Sequence, residues 1–384
     1  MLGDDSKVEK EKSFSPIKRG NAFQRQATVM GIKNESRKIE QAFKKDIDNK
    51  LDLVNQYAKS SSSHSNNIKV YVRFRPFNEV EEELLESGVG FICVEYVYPE
   101  NKNDLSQSNN SSEQEMECKA VQIKNTSGQL SHPYHFDKVF TTASEQEEIY
   151  GSFGKVIVKD VLDGYNGTVF AYGQSGSGKT FTMYGPDIYN DDYKGVIPRL
   201  IQDIFTVVNE GEDNVIFQFK MSYLQIYKEV IYDLLTGQRD LKIKENPIRG
   251  IYVDKLSEVY INTFENFMEY IELASQNRIV GETKLNHNSS RSHSILIFEV
   301  TQNVVTNNFS KSGKLNLVDL AGSEKISKTG AVGETLEEAK KINLSLSSLG
   351  NVIHALTSGS EHIPYRDSKL TRILQESLGG NFKT

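Results

Sequence analysis

The sequence is 384 residues long, has a formal net charge of −7 and contains 37% hydrophobic residues, so it can bury a sizeable core. Its acidic balance argues against general nucleic-acid binding, which requires a basic field. It has no apolar run of the roughly 18 residues that a membrane helix requires, and its start lacks the apolar stretch of a secretion signal. Two cysteines without such a signal indicate a reducing compartment, with neither a disulfide framework nor a zinc site. We therefore expect a cytoplasmic globular protein with no nucleic-acid partner and no membrane contact from this segment.

The first part of the chain differs in composition from the rest. Residues 1–67 are rich in Lys, Ser, Asn and Gln, which predicts a disordered or weakly helical extension. Folded sequence begins with the β-branched and aromatic segment Ile68–Phe74, a predicted strand. A second polar run near 101–116 predicts a surface insertion between strands. We therefore divide the chain into the extension 1–67 and one folded domain, 68–384.

A helix followed by a buried strand is predicted in the next part of the chain. Thr142–Glu145 resembles a capping box, and the apolar residues after it recur at helical spacing until Gly164 ends the pattern. Thr168–Tyr172 is then a short buried strand that leads into a glycine-rich loop. Further predicted strands are Val215–Ile226, Ser294–Val300 and Lys314–Asp319. Further predicted helices are Pro198–Val208, Asn266–Arg278, Leu336–Leu356 and Ser368–Leu378. Alternating strands and helices predict an α/β fold, a three-layer sandwich with a central, mostly parallel sheet flanked by helices. If the glycine-rich loop binds phosphate, this fold is of the P-loop NTPase type.

The glycine-rich loop fits the phosphate-loop pattern Gly-x-x-x-x-Gly-Lys-Thr at every position. The predicted nucleotide-binding residues are Gln174, Ser175, Gly176, Ser177, Gly178, Lys179, Thr180 and Phe181. Glycines let backbone N–H groups turn towards the phosphates, Lys179 supplies a positive charge to the β- and γ-phosphates, and the Thr180 hydroxyl binds Mg²⁺. The following helix adds its N-terminal dipole.

The segment Leu315–Gly322 is an apolar strand that ends in Asp-x-x-Gly. At the carboxyl end of the strand, Asp319 can hold a water of the Mg²⁺ shell, and Gly322 can offer its N–H to the γ-phosphate. A loop of this kind changes shape when the γ-phosphate leaves. We therefore predict a γ-phosphate sensor here.

A third polar loop, Asn286–His293, precedes a predicted strand. Two adjacent hydroxyls and Arg291 suit metal coordination and the positioning of the γ-phosphate or water, although an ordinary serine-rich turn is the alternative. His287 and His293 are predicted to be hydrogen-bonding residues, because no Cys or acidic cluster accompanies them.

Guanine specificity is not supported by the order of the motifs. The tetrads Asn49–Asp52 and Asn101–Asp104 match Asn-Lys-x-Asp, but both precede the phosphate loop, so we interpret them as coincidence.

Together these motifs resemble the kinesin motor domain, most closely that of conventional kinesins with an N-terminal motor, from about residue 68 to the end of the sequence. The matching segments are Val72–Pro76, Phe136–Phe140, Gly164–Met183, Asn288–His293, Val318–Glu324 and Pro364–Thr371.

The resemblance implies ATP/ADP and Mg²⁺ as cofactors. It implies that Arg73, Arg75 and Pro76 pack against adenine, which favours ATP. It further implies an ion pair between Arg291 and Glu324 that closes two loops around ATP. The implied catalytic residues are Ser290, Arg291, Gly322 and Glu324, and the implied metal-binding residues are Thr180, Ser290 and, through a water, Asp319. Phosphoryl transfer needs positioning and charge stabilisation more than a strong base.

The resemblance also implies a microtubule-stimulated ATPase motor whose partner is tubulin, located on the cytoskeleton, with spindle and axoneme as candidate places. The basic residues expected on the microtubule face are Lys255, Lys325, Lys328, Lys340, Lys341, Arg366, Lys369 and Arg372. Because tubulin is acidic, a local basic face on an acidic protein is physically reasonable, although a solvated helix face is the alternative.

Three alternatives remain. Kinesin motors continue with a strand, a helix and a neck linker, which we expect to be missing from this sequence together with regions for oligomerisation, so a non-motile microtubule binder stays open. A microtubule depolymerase is disfavoured because 101–115 contains no basic finger. Myosin-type actin motors share an Asn-x-Asn-Ser-Ser-Arg segment, but Ser292-His293 and Tyr365–Lys369 favour kinesin.

Overall fold

The computed structural model describes residues 68–88, 90–98, 118–211, 215–247, 250–285, 291–304, 309–324, 334–379 and 382–383. The chain divides into two compact units, Met1–Val54 and Asn55–Thr384, and the described residues all belong to the second. The predicted extension 1–67 and the predicted insertion near 101–116 lie outside the described residues. Within the described residues, no helix is long and apolar enough to span a membrane.

The elements are numbered in chain order. The strands of the described residues are β1 (Tyr71–Arg73), β2 (Val94–Val97), β3 (Ala120–Ile123), β4 (Tyr134–His135), β5 (Lys138–Phe140), β6 (Asn166–Ala171), β7 (Val215–Tyr227), β8 (Val230–Asp233), β9 (Lys242–Asn246), β10 (Gly250–Asp254), β11 (Val259–Ile261), β12 (His293–Val304), β13 (Phe309–Asp319) and β14 (Phe382–Lys383). The α-helices are α1 (Glu79–Glu86), α2 (Gln146–Leu162), α3 (Lys179–Met183), α4 (Val196–Asn209), α5 (Phe264–Leu285), α6 (Glu334–Thr357), α7 (Lys369–Ile373) and α8 (Gln375–Gly379), and Tyr365–Asp367 is a 3-10 helix.

The central sheet has the strand order β11-β7-β12-β13-β6-β14, with β8 also paired to β7. The predicted α/β fold is confirmed, but the sheet is mixed rather than mostly parallel. Only β13–β6 and β14–β6 are parallel within it, whereas β11–β7, β7–β8, β7–β12 and β12–β13 are antiparallel. The physical reason is connectivity: β7 with β8, and β12 with β13, follow one another without an intervening helix, and parallel pairing needs a longer crossover.

Helices cover both faces of this sheet. Successive side chains of a strand point to opposite faces. In β12, Leu296 and Phe298 pack in a core that includes residues of α2, α4 and α5. Their neighbours Ile295 and Ile297 pack in a second core that includes residues of α6 and α7. The predicted three layers are therefore present in the described part of the chain.

The predicted elements are confirmed more firmly than their ends. The helices predicted at Pro198–Val208, Asn266–Arg278 and Leu336–Leu356 correspond to α4, α5 and α6, and each extends beyond its predicted bounds. Apolar periodicity marks only the buried stripe of a helix, whereas its ends depend on backbone hydrogen bonds.

Two local predictions are wrong. The helix α2 has Glu145 as its N-cap, in extended conformation and without a side-chain cap bond, so Thr142–Glu145 is not a capping box. A capping box forms instead between Asn78 and Glu81, at the start of α1, which the sequence pattern had not indicated. The predicted helix Ser368–Leu378 is divided at Leu374 into α7 and α8.

The end of the sequence adds a strand that was not predicted. Phe382 and Lys383 pair in parallel with Asn166 and Gly167 of β6. The prediction had placed the next core strand outside the sequence, whereas Phe382 and Lys383 already pair with the central sheet. A two-residue segment is too short to show strand periodicity, so only the neighbouring strand reveals it.

Candidate functional site: a phosphate loop and its sensor

Two parallel strands bring the phosphate loop and the predicted sensor together. Ala171 at the end of β6 pairs with Asp319 at the end of β13. The loops that follow them therefore emerge at the same edge of the sheet, where parallel α/β sheets bind ligands. Backbone bonds join the loops directly, because Ser323 N–H donates to the Gly173 carbonyl at 3.1 Å.

The phosphate loop turns into α3 at Gly178. This residue is the N-cap of α3 and has φ 90° and ψ 20°, a left-handed conformation that strains any residue with a Cβ. The first residue of the helix is Lys179, whose Nζ donates to the Gln174 carbonyl at 2.9 Å. Burial lowers the pKa of Lys179, while the carboxylates of Asp319 and Glu324 act in the opposite direction. Because of the bond to Gln174, the ammonium group lies against the phosphate loop of which it is part.

Thr180 and Asp319 form the candidate metal site. Thr180 Oγ1 donates to Asp319 Oδ2 at 2.7 Å. Asp319 is 2% exposed, and burial raises its pKa against the hydrogen bond from Thr180. Among the described residues, no group hydrogen bonds to Asp319 Oδ1. A buried carboxylate oxygen without a protein partner beside a hydroxyl suits Mg²⁺ and its waters, since Mg²⁺ keeps several waters and few protein ligands.

The predicted residues Gly322 and Glu324 contact the phosphate loop. Glu324 accepts hydrogen bonds from Ser175, from N–H at 2.8 Å and from Oγ at 2.5 Å. Burial acts to raise the pKa of Glu324, but these two bonds, together with the Glu324 backbone N–H and the charge of Lys179, lower the net pKa. A Cβ on Gly322 would overlap the Ser175 hydroxyl and the Glu324 carboxylate as they stand, so these side chains lie directly against the Gly322 backbone. The sensor carboxylate is thus hydrogen-bonded to an N–H of the loop that is predicted to receive phosphate.

The third predicted loop is only partly described. Ser290 lies outside the described residues, and Arg291 begins the segment that leads into β12. Ser292 accepts a hydrogen bond of 3.5 Å from Arg278 on α5. The ion pair between Arg291 and Glu324 remains a prediction.

The predicted adenine-binding residues lie beside α3. The guanidinium of Arg73 lies 5.0 Å from the Phe181 ring centroid and donates to Thr182 Oγ1 at 2.8 Å. Arg75 donates to the Gly176 carbonyl at 2.7 Å and forms two bonds with Glu81, which lower the pKa of Glu81 to about 2. Pro76 is exposed. The sequence had named these residues but not the bonds that hold them.

Gln146 is a site residue that the sequence did not reveal. Its Oε1 accepts from Arg73 at 2.9 Å, and its Nε2 donates to the carbonyls of Phe181 at 2.7 Å and Tyr193 at 3.1 Å. It is 4% exposed. Its side chain therefore fixes Arg73 relative to Phe181. The only available signal was a polar residue at the start of a helix, which is common at exposed positions.

The residues of the predicted basic face differ in their exposure to solvent, which the sequence had not indicated. Lys255, Lys340 and Lys341 are exposed, and Lys369 is half-buried. Arg366 has an 80% exposed side chain, but that of Arg372 is 16% exposed. Lys325 and Lys328 lie outside the described residues.

Arg372 and its neighbours connect α7 to the rest of the fold. Arg372 forms an ion pair with Glu245 of β9 and donates to Gln375 at 2.7 Å. At the start of the same helix, Glu229 accepts from Ser368 Oγ and from Lys369 N–H, both at 2.7 Å. Arg372 therefore holds the β9–β10 hairpin against α7, so it is not a free surface cation.

Comparison with known proteins agrees with this geometry. The kinesin motor domain family model matches residues 73–384. A kinesin heavy chain of Syncephalastrum racemosum is 49% identical over 83% of this chain and 32% of its own length. The kinesin-1 heavy chain of Homo sapiens is 45% identical over 83% of this chain and 30% of its own length. This chain thus spans about a third of each relative. The solved structure of a fast kinesin has a TM-score of 0.74 and 46% identity, covering 84% of this chain and 85% of that one. This chain belongs to the kinesin motor domain family.

Proposed function

We propose that this chain is a microtubule-stimulated ATPase motor domain that couples ATP hydrolysis to microtubule binding and movement. The observation that carries the proposal is the direct contact between the phosphate loop and the sensor loop (residues 320–324) through Ser175 and Glu324. Family membership supports it, and the finer roles below extend it to individual residues. Residues 68–384 would form the motor domain, and 1–67 an extension of it.

ATP would bind with its base beside Arg73, Arg75 and Pro76. Gln146 and Glu81 hold the two arginines before any base arrives, so little ordering is left to the binding step. The N–H groups of residues 174–181 and the Lys179 ammonium would neutralise the phosphates.

Thr180, Asp319 and Ser290 would hold Mg²⁺, directly or through water. When bound, the ion would neutralise charge on the β- and γ-phosphate oxygens. The hydrogen bond from Thr180 engages Asp319 Oδ2 and leaves Oδ1 without a hydrogen bond among the described residues, so Oδ1 would be available to a water of the Mg²⁺ shell.

Hydrolysis requires the sensor loop to exchange partners. Glu324 now accepts two hydrogen bonds from Ser175, and its pairing with Arg291 would release the Ser175 N–H for phosphate. Gly322 N–H would then bond to the γ-phosphate, while Ser290 and Arg291 orient the attacking water and stabilise charge. The energetic logic is positioning rather than strong general-base catalysis.

The microtubule face would combine Lys255 and the cations of α6 and the 3-10 helix with Lys325 and Lys328. These side chains would face an acidic partner, so association is expected to weaken with salt. We place the protein on cytoplasmic microtubules, with spindle and axoneme as finer candidates. Contact with nucleic acid or membrane is not proposed, and oligomerisation would require other regions.

The test is ATP turnover by the chain with no filament, with microtubules and with actin filaments. We expect microtubules to raise the rate by at least about tenfold, a coupling typical between linked sites, with no effect of actin. Equal stimulation by both filaments would overturn the assignment to tubulin.

Co-pelleting with microtubules in ATP, ADP and a non-hydrolysable ATP analogue separates the alternatives. A motor binds with an affinity that depends on the nucleotide. Constant affinity would indicate a static binder, and loss of polymer in the presence of ATP would indicate a depolymerase.

A further inference from the structure

His293 lies at the start of β12, between the sensor loop and α6. It is 2% exposed, as is Ser345 of α6, and Ala321 of the sensor loop is fully buried. His293 Nδ1 accepts a hydrogen bond of 3.0 Å from Ala321 N–H. On its other side, Nε2 lies 2.6 Å from Ser345 Oγ. One imidazole thus connects three separate segments of the chain.

The directions of these bonds follow from the donors. A backbone N–H can only donate, so Nδ1 carries no proton and Nε2 must carry it. Nε2–H therefore donates to Ser345 Oγ, which donates in turn to the Ile342 carbonyl at 2.6 Å. Burial, with a smaller effect of Lys179, lowers the pKa of His293 to about 3, so the ring stays neutral. Ala321, His293, Ser345 and Ile342 form one directed chain, which we call the histidine relay.

The two ends of the histidine relay belong to different parts of the proposed motor. Ala321 is adjacent to Gly322, which is predicted to sense the γ-phosphate. Ser345 lies one helical turn from Lys341, an exposed residue of the predicted microtubule face. The relay therefore connects the nucleotide side to the filament side through a buried path.

We propose that His293 is a positioning residue that couples the sensor loop to α6, by requiring Ala321 and Ser345 to keep their places relative to one imidazole ring. This inference rests on the proposed function and extends it to a buried residue that the sequence analysis assigned neither to nucleotide binding nor to the microtubule face. Both ring nitrogens are buried, so a shift of the loop without the helix would leave a polar group without a partner. The loop and the helix therefore move together, or the relay breaks as a unit.

The first experiment compares Ser345→Ala with Ser348→Ala. Both serines lie on α6 and both are 2% exposed, so the second variant is a matched control for burial and helix propensity. Ser345→Ala keeps the Ala321 bond and removes the link to α6. We expect basal turnover within about twofold of wild type and a loss of about tenfold in maximal microtubule-stimulated turnover, within the range of coupling between sites. Ser348→Ala is expected to match wild type in both rates.

Two substitutions of His293 each remove a different hydrogen bond of the histidine relay. In His293→Asn the amide oxygen replaces Nδ1 and can still accept from Ala321, but the side chain is too short to reach Ser345. In His293→Gln the amide nitrogen replaces Nε2, and the Ala321 bond is lost. Both are expected to lose stimulation, and combining His293→Asn with Ser345→Ala is expected to add little to either, since both cut the same link.

The wild-type chain provides a test independent of variant folding. A long-range proton–nitrogen correlation spectrum of the imidazole is expected to show protonated Nε2 and bare Nδ1. A protonated Nδ1 would overturn the relay. So would Ser345→Ala retaining the stimulation of Ser348→Ala. If wild type itself shows no microtubule stimulation, the proposed function fails instead, and the two failures are distinguished.

Discussion

Lys179 and Arg372 are both cations that the sequence assigned to a binding partner, but their surroundings differ. Lys179 bonds to the carbonyl of Gln174 in its own loop, and the other residues of the phosphate loop are its neighbours in sequence. Arg372 bonds to Glu245, which belongs to a distant strand, and only 16% of its side chain is exposed. A phosphate-binding loop contains most of its phosphate-binding groups within one short segment. A binding face built from several helices and turns also includes residues that stabilise the fold. The predictions below test that difference.

The largest expected effect is loss of the loop cation. Lys179→Ala removes the positive charge from the predicted β- and γ-phosphate site, so ATP turnover is expected to fall by roughly 100-fold or more, with weaker nucleotide binding. Lys155→Ala, on an exposed position of α2, is the matched control. Nucleotide affinity measured with a fluorescent ATP analogue checks the result, and normal affinity in Lys179→Ala would refute the phosphate role.

Loss of the sensor carboxylate is expected to affect hydrolysis rather than binding. Glu324→Ala removes the predicted partner of Arg291 and also the group that bonds to Ser175 N–H, so the phosphate loop stays available to ATP. We expect turnover to fall by roughly tenfold to 100-fold while ATP affinity is kept. Glu210→Ala, an exposed carboxylate outside the site, is the control. Unchanged single-turnover hydrolysis would remove the Arg291–Glu324 pair from the proposed function.

His293 predicts how stability depends on pH. Its folded pKa of about 3 lies below its ordinary value of 6.5. Between these values the unfolded chain binds the proton and the folded chain does not, so stability falls as pH decreases. The slope is about 1.4 kcal/mol per pH unit. Urea unfolding of wild type and His293→Gln below pH 6.5 checks this, because other titrating groups are common to both. Parallel pH profiles would contradict a buried neutral imidazole.

The smallest effects compare the two arginines near Glu245. Arg372→Ala is expected to lower the free energy of unfolding by about 1 kcal/mol. The effect is small because Glu245 is exposed and solvent partly screens the ion pair. Arg366→Ala changes stability little, because its side chain is 80% exposed, but weakens microtubule affinity by about fivefold. Thermal unfolding and co-pelleting measure the two effects. If Arg372→Ala and Arg366→Ala had equal effects on stability and on microtubule affinity, the burial of a cation would not distinguish a residue that stabilises the fold from one that binds the filament.

Much of the nucleotide site could be predicted because its geometry is local. The motif spacing identified Gly178, Lys179 and Thr180. The strands β6 and β13, which lead into the phosphate loop and the sensor loop, were recognisable as buried strands from their apolar residues. The pairing of Glu324 with Ser175 could not be predicted, because the two residues meet only when β6 and β13 lie side by side. Gln146 was missed for the same reason: its three partners come from three separate segments.

By itself, the sequence determined the family, the α/β class, the phosphate loop and the helices whose apolar stripes face the sheet. These depend on contacts between near neighbours in the chain and on periodicity, which one segment displays alone. Only the tertiary structure decided the mixed strand directions, the division of the basic residues into anchors and exposed cations, and the connection of Ala321 to Ser345 through His293. Those features depend on which distant segments share a buried surface, and a polar group there is satisfied by whichever partner packing brings to it.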